Sequence, residues 1–202
     1  MIAVLRDTLD IMSVLEKPRL TPEEYLALER GSEARHEYHD GELFAMTGGS
    51  FRHNVIIGNL VREIGVGIKG RPCRVASSDQ RIHVPTTGLY TYPDVVVVCG
   101  EPRFLDRQLD TLLNPLILIE VLSPRTEAYD RGKKFEHYQS VPSLDAYLLV
   151  AQDQPRIDLF RRHGEEQWLL DSAIGLDAET TLQALDLRLA LSEIYDKVDF
   201  AG

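Results

Sequence analysis

The chain has 202 residues, of which 44% are hydrophobic and 27% are charged, and its formal net charge is -10. This length suits one globular domain with a substantial core, and no apolar run approaches the roughly 20 residues that cross a bilayer. Nucleic acids are polyanions, so the acidic balance argues against a protein that coats DNA, although a local basic cluster or a bound cation still permits a phosphate-binding cleft.

The first 19 residues are interpreted as an amino-terminal extension, and residues 20–202 as a single domain. The extension carries acids among its apolar residues and lacks the basic start and the small-residue cleavage site of a secretory signal. We therefore expect a cytoplasmic protein. Two cysteines, Cys73 and Cys99, cannot form a metal quartet by themselves, and we expect both to be thiols in the core or near the surface.

The first predicted elements are a helix, a hairpin and a second helix. The run TPEE beginning at Thr21 has an N-cap, a proline at the first helical position and a capping box, and it predicts a helix to about Gly31. The Asp40-Gly41 pair between two short apolar-containing runs predicts a tight hairpin turn. Over residues 52–68, apolar residues recur at helical spacing, which predicts an amphipathic helix despite its glycines.

The pattern then changes to short β-type runs. They are CRVAS, QRIHV, TYPDVVVV and PLILIEVLS. Val95–Val98 and Leu116–Val121 are continuously apolar, which is typical of strands covered on both faces in the middle of a sheet. A helix over Asp130–Gln139 is predicted next, followed by the strand-like runs AYLLVA, RIDLFRR and EQWLLD and by a short helix in LSEIYDKV. These runs predict a mixed α/β domain.

Two acidic residues interrupt the most apolar strands. Asp94 opens the Val95–Val98 run, and Glu120 lies inside Leu116–Val121. A carboxylate beside a buried strand costs free energy unless it is paired, hydrogen-bonded or bound to a cation. For either acid alone, an arginine or backbone N–H groups would suffice. Two such acids on neighbouring strands favour a metal site, because carboxylate oxygens are the ligands that Mg²⁺ and Mn²⁺ prefer.

Lys133 and Lys134 lie in the helix that follows the second acidic strand. Such a pair is usually a solvated basic face, but an ammonium near a metal orients the attacking water and offsets charge on the phosphoryl group. Adjacent helical residues diverge by about 100°, so only one of the two faces the cleft. We predict Lys134, which precedes Tyr138 by one turn and adjoins the expected core residue Phe135, although spacing alone leaves the choice open.

Short motifs follow one another along the chain in a specific order. The first is EYHDGE, which begins at Glu37, and His53 follows it. Next come YPDVVVV around Asp94, IEVLSP around Glu120, and finally Lys134 with Tyr138. Each motif is weak alone, but the ordered set resembles the Uma-two family of restriction-type endonucleases, in the PD-(D/E)XK nuclease superfamily. The resemblance extends from Thr21 to about Leu170. It implies a restriction-endonuclease-like central mixed sheet flanked by helices.

The resemblance also implies roles for site residues. Asp94 and Glu120 would bind the metal together with the main-chain carbonyl of Val121. The superfamily usually has a lysine two residues after the glutamate, where this chain has Leu122. In the family this lysine is taken to have moved to the following helix, which matches Lys134.

Further residues are candidates for the cleft. Glu37 matches the acid that such nucleases supply from an amino-terminal element, where it binds a second metal or a metal-bound water; the alternative is a surface acid of the hairpin. His53 and Gln80 are candidates for phosphate or cleft contacts, and capping or packing is the alternative for His53. Three basic residues are candidates for contacts with backbone phosphates, and the alternative is that they are ordinary solvated residues. They are Arg125, Arg131 and Lys133.

The function predicted from these residues is metal-dependent hydrolysis of DNA phosphodiester bonds by an endonuclease. No Gly-rich phosphate loop with its lysine is present, so we expect no nucleotide cofactor, and the histidines lack the spacing of a zinc site. Two alternatives stay open: a catalytically inactive nuclease-like module that binds nucleic acid or protein, and a glycoside hydrolase that uses the two carboxylates. The resemblance implies a homodimer, because two sites are needed to cut two strands.

Overall fold

The structure, a computed structural model, describes residues 19–164 and 166–200. The predicted extension, residues 1–19, lies outside the described residues except for Arg19, whose guanidinium lies 2.6 Å from the carboxylate of Asp40. The division of the chain into an extension and a domain at residues 20–202 therefore stays a prediction.

The described chain contains helices separated by runs of short strands. The helical elements are α1 (Pro22–Gly31), α2 (Phe51–Gly67), α3 (Glu127–Tyr129), a π-helical turn (Asp130–Lys134), α4 (Phe135–Gln139), a 3-10 turn (Gln183–Leu185) and α5 (Leu191–Ile194). The strands are β1 (His36–His39), β2 (Glu42–Ala45), β3 (Cys73–Ser77), β4 (Arg81–Val84), β5 (Leu89–Thr91), β6 (Val95–Cys99), β7 (Thr111–Leu112), β8 (Ile117–Leu122), β9 (Ala146–Ala151), β10 (Arg156–His163), β11 (Gln167–Ile174), β12 (Glu179–Leu182) and β13 (Leu187–Ala190).

The strands form a central mixed sheet and smaller sheets beside it. Within residues 19–164 and 166–200, the central sheet has six strands in the order β11-β10-β9-β8-β6-β3, and the second sheet has the order β2-β1-β5-β4-β7. In the central sheet β8 and β9 run parallel, and the other neighbours are antiparallel. The parallel pair needs a crossover, which the segment from α3 to α4 provides. This mixed sheet with flanking helices confirms the predicted fold class.

Both faces of the central sheet are covered. On one face, Val95 belongs to an apolar cluster that includes residues of α2 and α5. On the other face, Val96 and Leu118 belong to a cluster that includes residues of β4, β5 and α4. Side chains alternate between the two faces along a strand. Glu120, in phase with Leu118, therefore points towards the second sheet and α4, whereas Asp94 lies just before β6 and its carboxylate contacts His53 of α2.

The helix cap and the hairpin turn that were predicted from local sequence signals are both present. The hydroxyl of Thr21 accepts a hydrogen bond from the backbone N–H of Glu24 at 3.2 Å, and the Glu24 carboxylate accepts one from the N–H of Thr21 at 2.8 Å, which completes the capping box of α1. Between β1 and β2, Asp40 and Gly41 have φ values of 48° and 82°, as a two-residue hairpin turn requires.

The expectation that Cys73 and Cys99 are thiols is wrong, because the structure joins them in a disulfide. The two residues are direct partners in the antiparallel register of β3 and β6, and their Cα atoms lie 4.0 Å apart. The two cysteines are 26 residues apart in sequence, and whether they face each other depends on the register of two strands. No local sequence pattern therefore predicts the disulfide.

The helix predicted over Asp130–Gln139 is present, but its form differs from the prediction. It begins earlier, in α3, and its first half is the π-helical turn Asp130–Lys134. A π-helix closes hydrogen bonds between residues i and i+5, so it holds more residues per turn than the 3.6-residue period of an α-helix predicts. Across the part of the chain that the structure describes, no helix is long and apolar enough to span a membrane.

Candidate active site

The two acidic strands lie side by side in the central sheet, as predicted. β6 and β8 are antiparallel neighbours, with Val95 opposite Ile119. Continuing that register by one residue sets Asp94 opposite Glu120. Residues that face each other in this way project from the same face, with Cβ atoms about 4.5–5.5 Å apart. The carboxylate of Glu120 contacts Tyr138 on the α4 side of the sheet, and the carboxylate of Asp94 lies beside the main chain of Val121 and His53.

The carboxylate of Asp94 has two close contacts. Its Oδ2 accepts a hydrogen bond from the backbone N–H of Val121 at 2.8 Å and lies 3.2 Å from Nε2 of His53, in the first turn of α2. Burial opposes the charged form of His53, but the hydrogen bond and charge of Asp94, together with the main chain of Val121, raise its pKa above the ordinary value. The structure thus brings His53 to the site, as a partner of a predicted metal ligand.

Glu120 lies deep in the protein, with 5% of its surface exposed. Its Oε1 accepts a hydrogen bond from the hydroxyl of Tyr138 at 2.9 Å and one from the ammonium of Lys134 at 3.3 Å. Burial raises the pKa of Glu120 well above its ordinary value; Lys134 opposes this change, and nearby acids add to it. Glu120 is therefore a carboxyl group whose ionised form is favoured by an additional cation.

Lys134 is buried among three carboxylates. Its Nζ lies 3.1 Å from Oε1 of Glu37, 3.2 Å from Oδ1 of Asp130 and 3.3 Å from Oε1 of Glu120. Burial opposes its charge, but the carboxylates outweigh burial and raise the pKa of Lys134 well above its ordinary value. Lys133 is exposed. As predicted, Lys134 rather than Lys133 approaches Glu120, but its ammonium contacts Glu37 and Asp130 and not the other predicted metal ligand, Asp94.

The π-helical turn sets the direction of these side chains. Asp130 and Lys134, its first and last residues, are both buried and paired with each other. The hydroxyl of Tyr147 donates a hydrogen bond to the main-chain carbonyl of Asp130 at 3.0 Å, which fixes the start of the turn. The ring of Tyr129 lies 5.5 Å from the Lys134 ammonium, and burial, followed by the Glu37 charge, raises the pKa of Tyr129 to about 12.

Asp130 belongs to the site but was not predicted from the sequence. A usable signal was present, because Asp130, Lys134 and Tyr138 recur at a spacing of four residues and so share one face of a helix. All three are buried, and the last two both contact Glu120.

Glu37 reaches the site from β1 in the second sheet. Besides its contact with Lys134, its Oε1 accepts a hydrogen bond from the hydroxyl of Thr91 in β5. Its side chain is 13% exposed, so it is not the exposed acid of a hairpin that the alternative interpretation proposed. The hairpin β1-β2 thus delivers a carboxylate to the same ammonium that contacts Glu120.

The structure does not bring Gln80 or Arg131 to the carboxylates. The side-chain amide of Gln80 donates to the main-chain carbonyls of Arg81, at 2.9 Å, and Asp110, at 3.2 Å. Arg131 forms salt bridges on the other side of the π-helical turn. Its partners are Glu127 at 2.8 Å and Asp158 at 2.8 Å. Both side chains therefore have structural partners instead of contacts with the site.

Arg125 and Lys133 are exposed. Arg125 lies in the turn after β8, and Lys133 lies in the π-helical turn on the side away from Lys134's carboxylate partners. Neither approaches Asp94 or Glu120 in the manner of Lys134. Their positions suit contacts with a long polyanion that extends beyond the site, and no other role follows from their surroundings.

The donor atoms of the site fit a hard divalent cation. Both contacts of Asp94 use Oδ2 and both contacts of Glu120 use Oε1, so among the described residues Oδ1 and Oε2 are left for another partner. No group of three or more His, Cys, Asp or Glu side chains in the described chain is arranged around a common cation position. The predicted ligand set needs only two carboxylates and the carbonyl of Val121, which are oxygen donors of the kind that Mg²⁺ and Mn²⁺ prefer.

Comparison with known proteins relates this site to one family. Residues 22–192 match the Uma2 family, described as "Putative restriction endonuclease". The chain is 40% identical over 184 residues to the uncharacterized protein slr1290 of Synechocystis sp., covering 91% of this chain and 95% of that one. It is 34% identical over 169 residues to sll1609 of the same organism, covering 84% and 96% of the two chains.

A solved structure has the same fold. It is the crystal structure of "a putative nuclease belonging to DUF820" from Anabaena variabilis, which superimposes with a TM-score of 0.72 at 20% sequence identity. The likeness covers 87% of this chain and 97% of that one. At this identity it shows the shared fold alone, whereas the sequence match over residues 22–192 shows descent. This chain belongs to the Uma2 family of restriction-endonuclease-like proteins.

Proposed function

We propose that the chain is an endonuclease that hydrolyses DNA phosphodiester bonds with Mg²⁺ or Mn²⁺. The family description and the nuclease fold support a nuclease. The observation that carries the finer proposal is the contact of Lys134 with Glu120, at 3.3 Å, where Glu120 lies on the strand that pairs with the strand after Asp94. Two carboxylates on paired strands and one buried ammonium from the following helix are the groups that metal-dependent phosphodiester hydrolysis needs.

The metal would be held by Asp94, Glu120 and the carbonyl of Val121. When bound, such a metal polarises the scissile phosphate and lowers the pKa of a water bound to it. Around the site, the carboxylates of Glu37, Glu120 and Asp130 share a single buried ammonium, that of Lys134, and Asp94 adds a further carboxylate nearby. This surplus of negative charge attracts a divalent cation and offsets the cost of removing its water ligands.

Lys134 acts as a cation rather than as a base in this proposal. Its raised pKa keeps the side chain protonated at neutral pH. A protonated amine donates hydrogen bonds to phosphate oxygens, and the benefit grows as charge builds up on the phosphoryl group in the transition state. Tyr138 fixes the orientation of Glu120 by its 2.9 Å hydrogen bond, and Glu37 would hold a second metal or a water.

The remaining parts of the proposal concern the setting of the enzyme. DNA is the proposed partner, with Arg125 and Lys133 as contacts to its backbone phosphates outside the site. The enzyme would act in the cytoplasm as a homodimer, with one site for each strand, and without a nucleotide cofactor. Light scattering of the purified chain tests the homodimer, since a single species of monomer mass would exclude it.

A plasmid assay tests the proposed activity. Purified protein is incubated with supercoiled plasmid over a series of Mg²⁺ and Mn²⁺ concentrations, with a chelator as the metal-free arm. We expect nicking only with metal, and loss of most nicking in Asp94→Asn, Glu120→Gln and Lys134→Ala. The two amide variants should also lose metal binding in calorimetry, whereas Lys134→Ala should lower turnover more than metal affinity.

Two further lysine variants serve as controls in the plasmid assay. Lys69→Ala removes an exposed lysine after α2 and should nick like the wild type. Lys133→Ala should weaken plasmid binding and its salt dependence without changing the maximal rate. If the wild type and the site variants nick at one low rate, the nicking is contamination. A gel shift without cleavage would then identify a nuclease-like binding module.

A further inference from the structure

Asp94 is held by only one of its two carboxylate oxygens. Oδ2 receives the backbone N–H of Val121 at 2.8 Å and faces Nε2 of His53 at 3.2 Å. Within residues 19–164 and 166–200, Oδ1 has no hydrogen bond or ion pair. A carboxylate anchored through one oxygen presents the other in a fixed direction, and hydrogen-bond partners of this kind orient metal ligands in many sites.

The ring of His53 is arranged as a donor to Asp94. An ionised carboxylate oxygen only accepts hydrogen bonds, so the ring nitrogen that faces it, Nε2, carries the hydrogen. The other ring nitrogen, Nδ1, is buried without a hydrogen-bond partner in the described chain. The backbone N–H of His53 donates to the hydroxyl of Ser50 at 3.1 Å. Helix capping thus uses the main chain of His53, and the ring is left to contact Asp94 and the main chain of Val121.

Gly49 confines the ring from the opposite side. A Cβ atom built on Gly49 would lie 2.4 Å from Nδ1 and 2.8 Å from Cγ of His53, far inside van der Waals contact. Only a glycine therefore allows the loop before α2 to close on the imidazole. At the adjacent Gly48, by contrast, a Cβ atom would meet nothing within 4 Å. The ring lies between the Gly49 backbone and the carboxylate of Asp94, with little room to tilt.

We propose that His53 is a positioning residue, whose Nε2–H holds Oδ2 of Asp94 so that Oδ1 faces the metal. The inference rests on the proposed function, because it assigns to Asp94 the role of a metal ligand. It adds a residue from α2 to a site whose other groups come from the two sheets and the helix after β8. Gly49 belongs to the same arrangement through its contact with the ring.

Four variants test this inference by metal binding in the absence of DNA. His53→Leu removes the donor, and His53→Gln keeps an N–H near the position of Nε2. Gly49→Ala crowds the ring without changing its chemistry, and Gly48→Ala is the matched control, since its added methyl group enters open space. Mn²⁺ affinity is measured by calorimetry, and thermal unfolding without metal establishes that each variant is folded.

We expect His53→Leu and Gly49→Ala to bind Mn²⁺ about 10- to 100-fold more weakly than the wild type, the usual effect of losing a partner of a metal ligand. His53→Gln should recover much of the loss, and Gly48→Ala should match the wild type. In the plasmid assay, raising the Mn²⁺ concentration should restore the rate of His53→Leu, but should not restore that of Lys134→Ala.

Several results would overturn the inference. Wild-type Mn²⁺ affinity in folded His53→Leu would show that the ring does not position Asp94. Equal losses in Gly48→Ala and Gly49→Ala would attribute the effect to the loop instead of the ring contact. A wild type that binds no Mn²⁺ overturns the inference and the metal part of the proposed function together. Mn²⁺ binding without nicking overturns only the proposed nuclease activity and leaves the role of His53 in place.

Discussion

Two clusters of buried charge in this protein differ in how well their charges balance. In the site cluster, the ammonium of Lys134 is shared by the carboxylates of Glu37, Glu120 and Asp130. Burial raises the pKa of Glu120 well above its ordinary value, and Lys134 offsets only part of that change. This cluster has more negative charge than its own cation neutralises.

The other cluster surrounds Arg81 at the start of β4. The guanidinium groups of Arg30 and Arg81 both contact Asp110, at 2.8 Å and 2.9 Å. The hydroxyl of Tyr92 accepts from Arg81 at 2.9 Å and donates to Glu29 at 2.9 Å, which connects the acids into one network. The hydrogen bond from Arg30 holds the pKa of Asp110 well below its ordinary value, so this acid is charged and paired.

The difference distinguishes a structural network from a candidate site. Removing a charge from water costs several kcal/mol, so a network that only supports the fold is expected to pair each acid with a cation or a donor. A surplus of one sign persists where function uses it. The Arg81 cluster has the paired charges of a structural network. The Lys134 cluster has the surplus of negative charge expected of a functional site, although both clusters lie among buried residues.

The largest contrast is expected from two equivalent substitutions, Glu120→Gln and Glu29→Gln. Glu120→Gln should lower metal-dependent nicking by more than about 100-fold, since it changes a metal ligand and not only a partner of one. Glu29→Gln should leave nicking of the folded protein unchanged and lower the free energy of unfolding by about 2 kcal/mol, because it weakens hydrogen bonds to a charged group. Plasmid nicking and urea unfolding, measured on both variants, check this contrast, and equal effects on nicking would contradict it.

Arg81→Met should have the largest effect on stability. The Arg81 side chain is 4% exposed, and its loss leaves Asp110 without one of its two guanidinium partners. We expect the free energy of unfolding to fall by about 3 kcal/mol, as is typical when one partner of a buried ion pair is removed. Arg188→Met is the control, because Arg188 is 75% exposed and should contribute little. A loss of similar size in both variants would show that the cluster has no special role.

Mn²⁺ should stabilise the protein through the site cluster alone. At a Mn²⁺ concentration about 100 times its dissociation constant, a single site adds about 2.7 kcal/mol to the free energy of unfolding. Thermal unfolding should show this shift in the wild type and in Glu29→Gln, but not in Asp94→Asn. A shift that survives in Asp94→Asn would place the bound metal elsewhere in the protein.

The smallest expected effect is a change of stability with pH at His83, in β4 of the second sheet. Burial lowers the pKa of His83 from 6.5 to about 4. A lowered histidine pKa means that the folded protein favours the neutral ring, so its contribution is complete above pH 6.5 and is lost as pH falls towards about 4. His83→Phe, which keeps an aromatic ring stacked on Tyr90, should flatten this part of the stability profile. An unchanged profile would contradict the assignment.

The sequence predicts those elements whose signals are local. The capping box at Thr21 and the Asp40-Gly41 turn are each decided by a few neighbouring residues, and both form as predicted. The apolar runs of β6 and β8 also predict their burial, because a strand covered on both faces has no polar alternation. The acids Asp94 and Glu120 stand out for the same reason, as charges beside strands that are otherwise apolar.

The features that the sequence does not predict depend on distant parts of the chain. The Cys73–Cys99 disulfide requires the register of β3 against β6. Two partners of Lys134, Glu37 and Glu120, come from β1 and β8, so no single window of sequence contains them and only the resemblance predicted them as one site. Gln80 was predicted to face the cleft because it lies on a stretch of chain that leads towards Asp94. Its side-chain amide instead donates hydrogen bonds to main-chain carbonyls at Arg81 and Asp110.

The π-helical turn has a consequence for how relatives of this protein differ in length. Such a turn equals an α-helix with one inserted residue. The insertion rotates the segment before the turn by about 100° relative to the segment after it. Removing Gly132 would therefore turn Asp130 away from Lys134 while Lys134 and α4 stayed in place. We expect relatives to keep the number of residues between Asp130 and Lys134 constant, and insertions or deletions to fall outside this interval. A functional relative with one residue fewer there would have to supply the carboxylate partner of its lysine from a different helical position.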